Sequence, residues 1–377
     1  MYDDVVPTRR VYPQRIVPWD GFPAQQAEMW RLLLSTRSAT GSMDATSAPF
    51  APFASRRAFS SQHSVDYSME IINRPGISGG AEFWRAIEDP VRWLVGSVFD
   101  DAMLRRRFGP CRAVGFAMHY GYNVYGFTDT HDGYSVRMAD GTRIPVTAAV
   151  HIMPDKLSPD EIFTGLAGAT VDPGRDIINR DRRDAGDSAF VFASKTLTTA
   201  AVTKLFAYMV RKCVRYGYIC TGDVLVFLHI PGDDPTTALY HVCVPDVDVG
   251  EEEDDNSHLL RTAAAQVFAF TLQAFCAPPP TTSWVRAAHL LDKWEFSYEG
   301  VLSGIPTRVR ETKEHALPYR PNHGRGCMRC PSKASSSVAG KRKRRAAEDE
   351  DTASDKGHNE HGTKKPRPAQ CLSTGTC

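Results

Sequence analysis

Sustained apolar periodicity is confined to roughly residues 66–318 of this 377-residue chain, and that confinement limits what can fold. Residues 1–65 include SATGSMDATSAPFAPFASRRAFSSQ, a stretch rich in Ser, Ala, Thr and Pro that has no period. Such composition predicts a largely disordered N-terminal segment, with a short helix near Gln25–Leu34. Residues 319–377 carry Ser335–Ser337, a basic run, an acidic run and a second basic run, which predict a disordered charged tail. The middle is the size of one large domain and shows no internal repeat.

Apolar residues at 42% and charged residues at 24% supply a core. Apolar runs such as Val224–Ile230 fall far short of the roughly 20 residues that span a bilayer, so no membrane insertion is expected. The start, MYDDVVPTRR, lacks a basic region followed by an apolar one, so no secretory signal is expected. Four of the nine cysteines, Cys213, Cys220, Cys243 and Cys276, lie in apolar runs, which predicts reduced, buried thiols in a cytosolic or nuclear protein.

Asp89-Pro90 reads as a helix start, followed by Val91, Leu94, Val95, Val98 and Phe99 at helical spacing and continuing through Leu104. Strands are predicted at Ala113–Met118, Tyr134–Met138 and Ile144–Met153, with a hairpin turn at Asp140-Gly141. Ser158-Pro159-Asp160-Glu161 opens a second helix, and a longer one runs from about Lys195 to Tyr216. Asp223–Ile230 and Leu239–Val244 form a hairpin across Pro231–Pro235, and helices follow at Leu259–Phe275 and Trp284–Leu302. This order predicts an α/β fold with a mixed central sheet flanked by helices, because strict strand–helix alternation is absent.

Several motifs carry little chemistry. Gly76-Ile77-Ser78-Gly79-Gly80 matches a nucleophile elbow in letters, but Asn73-Arg74-Pro75 precedes it where a core strand is needed, so it reads as a turn. No phosphate-binding or dinucleotide glycine loop is present in the sequence. Cys327 and Cys330, with His323 nearby, make at most half of a four-ligand zinc site. Two basic clusters, Lys341-Arg342-Lys343-Arg344-Arg345 and Lys364-Lys365-Pro366-Arg367, predict nuclear localisation through an import receptor and weak, nonspecific attraction to nucleic acid.

One ordered series remains: Glu88–Arg92, Leu104–Phe108, Arg143–Pro145, Pro154–Leu157, Ala201–Met209, Tyr216–Tyr218, Thr221–Asp223, Val226–Leu228, Thr262-Ala263, Gln266–Leu272, Trp294-Glu295 and Ile305-Pro306. Over about Ala81–Pro318, the series resembles a set of uncharacterised fungal proteins. Their central domain is similar to the PD-(D/E)XK restriction-endonuclease-like superfamily. Many relatives carry a kinase-like segment, which this chain lacks in H-R-D and D-F-G motifs.

The resemblance implies a restriction-endonuclease-like fold, a divalent metal held by carboxylates, and a lysine that helps activate water for phosphodiester hydrolysis. Asp132 fits the first carboxylate and metal position, and Glu88 the helical carboxylate. The Glu-x-Lys places fall on Val150, His151 and Ile152, so both functional charges are missing, and Lys204 is the candidate substitute lysine. Residues 66–318 therefore read as a degenerate nuclease-like domain, a binding or scaffold module without a cofactor. The alternatives are a divergent nuclease using Mg or Mn and an interaction module serving a kinase-like partner.

Overall fold

The structure, a computed structural model, describes residues 6–35, 80–109, 113–119, 133–180, 188–249, 260–312 and 316–319. The chain enters as β1 (Thr8–Val11), β2 (Arg15–Pro18) and α1 (Phe22–Ser35). Residues 6–35 are therefore part of the fold, which corrects the expectation of a largely disordered 1–65 for this stretch. Each strand has only four residues, too few for alternation to register, and its partners lie more than 200 residues away in the chain. The remainder of 1–65, together with 320–377, lies outside the described residues.

Two helices follow, α2 (Gly80–Asp100) and α3 (Ala102–Phe108). Asp89 does not cap a helix, because Pro90 sits inside α2. Losing one N–H bond there is offset by a continuous apolar stripe, in which Val91, Leu94, Val95 and Val98 are fully buried. The break comes instead at Asp101, whose carboxylate accepts the N–H groups of Met103 and Leu104 at 2.8 and 3.0 Å.

Then come β3 (Ala113–His119), β4 (Gly133–Met138), β5 (Arg143–Pro145) and β6 (Thr147–His151). The run expected as a single strand at Ile144–Met153 thus divides. Strand β5 pairs with β4, Val146 N–H donates to the Tyr134 carbonyl at 2.8 Å, and β6 enters a different sheet. Helix α4 (Pro159–Leu166) starts as predicted: the Ser158 hydroxyl accepts the Glu161 N–H, and Glu161 accepts the Ser158 N–H. A single π turn, Gly174–Ile178, precedes α5 (Ala189–Arg211).

The long helix ends at Arg211, a few residues before the predicted Tyr216, and Tyr216 opens strand β7 (Tyr216–Cys220). The β8 (Leu225–His229) and β9 (Thr237–Cys243) hairpin forms as predicted. After it come α6 (Pro245–Val249), α7 (Ala263–Cys276), α8 (Thr282–His289), β10 (Lys293–Phe296), α9 (Tyr298–Ser303) and α10 (Thr307–Thr312). The last predicted helix, Trp284–Leu302, is interrupted because β10 pairs antiparallel with β1.

The central sheet has the order β2-β9-β8-β7-β6, with parallel pairs at both edges and antiparallel pairs between. It is mixed and flanked by helices on both faces, as the sequence order predicted. One face bears Tyr216, Tyr218 and Phe227 and packs on α1, α2 and α7 through Trp19, Phe22, Leu94 and Phe270. The other bears Ala148, Val150, Ile219 and Val226 and packs on α5 and α4 through Leu197, Ala201, Leu205 and Ile162. Gly217 permits the approach of α5, since a Cβ there would lie 2.8 Å from Met209 Sδ. Cys220 and Cys243 are buried as expected, whereas Cys213 and Cys276 are exposed.

Two histidines lie within the aromatic layer. The His229 ring lies between Trp19 and Tyr216, at centroid distances of 4.9 and 4.4 Å, and His241 stacks on Phe22 at 4.3 Å. Among the described residues neither ring nitrogen of His229 has a hydrogen-bond partner. Burial pushes both imidazoles down to about 4, with Arg215 adding to the effect at His229. The unfolded chain takes up these protons near pH 6.5, so their contribution is complete above that value. It is lost as pH falls through 4, at roughly 3 kcal/mol per histidine. Urea midpoints at pH 7 and pH 4.5 should show a pronounced acid loss that His241→Phe reduces. An unchanged pH dependence in that variant would contradict the assignment.

Candidate functional site

Strand β6 alternates between the two cores. Ala148 and Val150 face α5, whereas Ala149 belongs to the core containing α2, and His151 follows Ala149 to that side. His151 Nε2 lies 3.2 Å from Glu88 Oε1, with the two side chains only 6% and 4% exposed. The Tyr218 ring meets His151 edge-on at 6.4 Å. Glu88 of α2 therefore does reach the end of β6, but it engages His151, the middle residue of the triplet, rather than either flanking place.

Lys204 is buried on α5, the helix whose apolar residues pack with Val150. Val150 and Ile152 are 1% and 5% exposed and belong to the α5 core. Asp132 lies outside the described residues. Its neighbour Gly133 lies against β6, where a Cβ would collide with the Thr147 carbonyl oxygen.

The surrounding polar residues hold the scaffold. Lys156 pairs with Glu299, and the Asp155 carbonyl accepts from Arg310 Nη2 at 3.0 Å. Arg310 also grips the buried Glu161 with two bonds, of 2.6 and 2.9 Å. A hard dication needs several oxygen ligands. Val150 and Ile152 offer none, and Glu88 is engaged by His151. Among the described residues, no group of three or more His, Cys, Asp or Glu side chains is placed to hold a metal. These residues do not fit a magnesium or manganese centre, and no step through one is derived. Ser78, His323, Cys327, Cys330 and both basic clusters lie outside the described residues.

The sequence gives no sign of a cavity of about 420 Å³ on the α4 side of the sheet edge, lined among others by Asp20, Phe163, Leu166, Tyr240 and Tyr319. Its walls come from four segments far apart in the chain, none of which carries a motif.

Comparison with known proteins finds similarity over one segment of the chain. Residues 187–284 match the family described as Spore killer 2 N-terminal domain. That segment spans α5, β7, β8, β9, α6, α7 and the start of α8, and thus the middle of the central sheet. The chain is similar to the meiotic driver SPOK2 of Podospora anserina, at 39% identity over 83 residues. The alignment covers 22% of this chain and 11% of that protein. No solved structure matches the chain.

The Glu88–His151 contact is testable as a buried pair. Glu88→Ala should cost roughly 3 kcal/mol in chemical denaturation, because it leaves the buried imidazole without its carboxylate. The double variant Glu88→Leu with His151→Leu should cost less than the two single changes added together. Strict additivity would mean the two side chains are not coupled.

Proposed function

We propose that this chain acts in meiotic drive, through a nuclear α/β module that binds rather than cleaves. The drive reading comes from the similarity to the spore-killer domain and to the meiotic driver SPOK2. The non-catalytic reading is supported by one observation above all. Val150 and Ile152, at the Glu-x-Lys places, lie in the core between helix and sheet, and Glu88 is engaged by His151. A nuclease must gather its charges at one place open to a phosphodiester. In this reading the restriction-endonuclease-like domain survives as a scaffold. Nuclear import runs through Lys341–Arg345 and Lys364–Arg367, and the same clusters carry nonspecific, salt-sensitive contact with nucleic acid.

The second reading is a divergent nuclease using Mg or Mn, favoured by the arrival of Glu88 at the end of β6. An assay of the purified chain on single- and double-stranded DNA with either metal separates the two. No cleavage is expected. Metal-dependent cleavage that is lost in both Asp132→Ala and Lys204→Ala would overturn the binding reading.

The drive and localisation proposals share one cross. A fungal strain expressing the chain as a fluorescent fusion is mated to a strain lacking it. Spores that inherit the gene should survive in excess, and the fusion should be nuclear. Replacing both basic clusters with alanine should leave it cytoplasmic. Equal survival of both spore classes would refute the drive proposal, and undiminished nuclear signal would refute the import proposal.

A further inference from the structure

We infer that the cavity at the β2–β9 edge is a binding site for an organic cation, an ammonium group on a short apolar stem. The inference stands apart from the question of cleavage, since its test neither needs nor excludes that activity.

The cavity holds about 420 Å³, within the range of small-ligand sites. Its walls on the α4 side are apolar and aromatic: Phe163, Leu166, Tyr240 and Tyr319. Trp19 and His241 line it too, although both rings pack against Phe22 on the opposite face of the sheet. Tyr240 is held in place by its hydroxyl, which donates to the Leu166 carbonyl at 3.0 Å. Tyr319 is held in the same way, donating to Asp248 Oδ1 at 2.8 Å, and its ring lies 5.0 Å from that of Phe163. These aromatic faces are fixed before any ligand arrives, and aromatic faces attract cations.

Three further features give the cavity one sign. Among the described residues Asp20 is the one charged residue of the lining; its carboxylate is exposed and has no ion-pair partner among them. Its charge reaches Tyr240, where it adds to burial in pushing the phenol pKa up. Helix α4 ends at the cavity: Leu166, Ala167 and Gly168 line it, and Ala167 closes the helix in a left-handed conformation at φ 46°. The carbonyl end of a helix carries partial negative charge. Among the described residues no Lys or Arg lines the cavity. An anion would meet repulsion from Asp20 and from the helix end, and a neutral apolar ligand would gain nothing from either. A cation with an apolar stem satisfies both, along with the aromatic walls.

The test uses the full chain with choline as the probe and 3,3-dimethyl-1-butanol as its neutral isostere, followed by NMR and calorimetry. Choline should bind at least about tenfold more tightly than the alcohol. Asp20→Asn should weaken choline about fivefold with an unchanged melting temperature, and Phe163→Leu should weaken it further. Asp20→Lys, which places an ammonium at the mouth, should abolish binding without unfolding the protein. Butylammonium and N-acetyl-lysine methylamide distinguish a free amine from a lysine side chain, and tighter binding of either supports the site. Equal affinity for choline and the alcohol, or choline binding indifferent to both Asp20 variants, would overturn the inference. So would the absence of any binding at 50 mM, on the order of ten times the dissociation constant of a weak millimolar ligand.

Discussion

The central sheet is covered on both faces, and that double burial decides what each residue on it can be. A strand with one wet face alternates apolar and polar residues, whereas one covered on both sides reads as a nearly continuous apolar run. Strands β7 and β8 are buried almost throughout, including Val226, Phe227 and Leu228 on consecutive positions. The same constraint applies to α5, which carries buried residues around its whole circumference because the sheet, α4, α9 and β1 surround it. Two of the polar groups in this interior, Thr198 and Glu161, are paired. Thr198 donates to the Glu161 carbonyl, and Glu161 in turn is gripped by Arg310 and caps α4.

The same burial places Val150 and Ile152, at the Glu-x-Lys places, together in the core beneath α5. His151 and Glu88 answer each other on the α2 side, and Val150 answers Leu197 and Ala201 on the α5 side. A cavity lies at the sheet margin, where β2 ends, α4 terminates and Tyr319 stands. The region matched by the spore-killer domain supplies one wall of that margin through Tyr240, while Asp20, Phe163 and Tyr319 come from outside the match.

Local chemistry was legible wherever a few neighbouring residues decide the outcome. The Ser158 capping box, the β8–β9 hairpin and the Asp140-Gly141 turn all form as their residues predict, because their hydrogen bonds close within a few positions. The mixed α/β class was legible too, from the order of helical and strand periods. Boundaries were less so. Asp89-Pro90 has the letters of a helix start, yet the apolar stripe of α2 carries the helix through it.

Tertiary structure alone decided the long-range pairings. Residues 8–18 look featureless in sequence, yet β1 pairs with β10 and β2 extends the central sheet beside β9, because strand partners are chosen by edge hydrogen bonds and burial across the whole chain. Tyr216–Cys220, beyond the predicted helix but for Tyr216, forms a strand because the sheet has a place for it between β6 and β8. For the candidate site, the sequence determined which charges were missing, at Val150 and Ile152. It did not determine that Glu88 would meet His151. The side of a sheet on which a helix packs is set by the connections between elements, and neither residue carries that information in its neighbours.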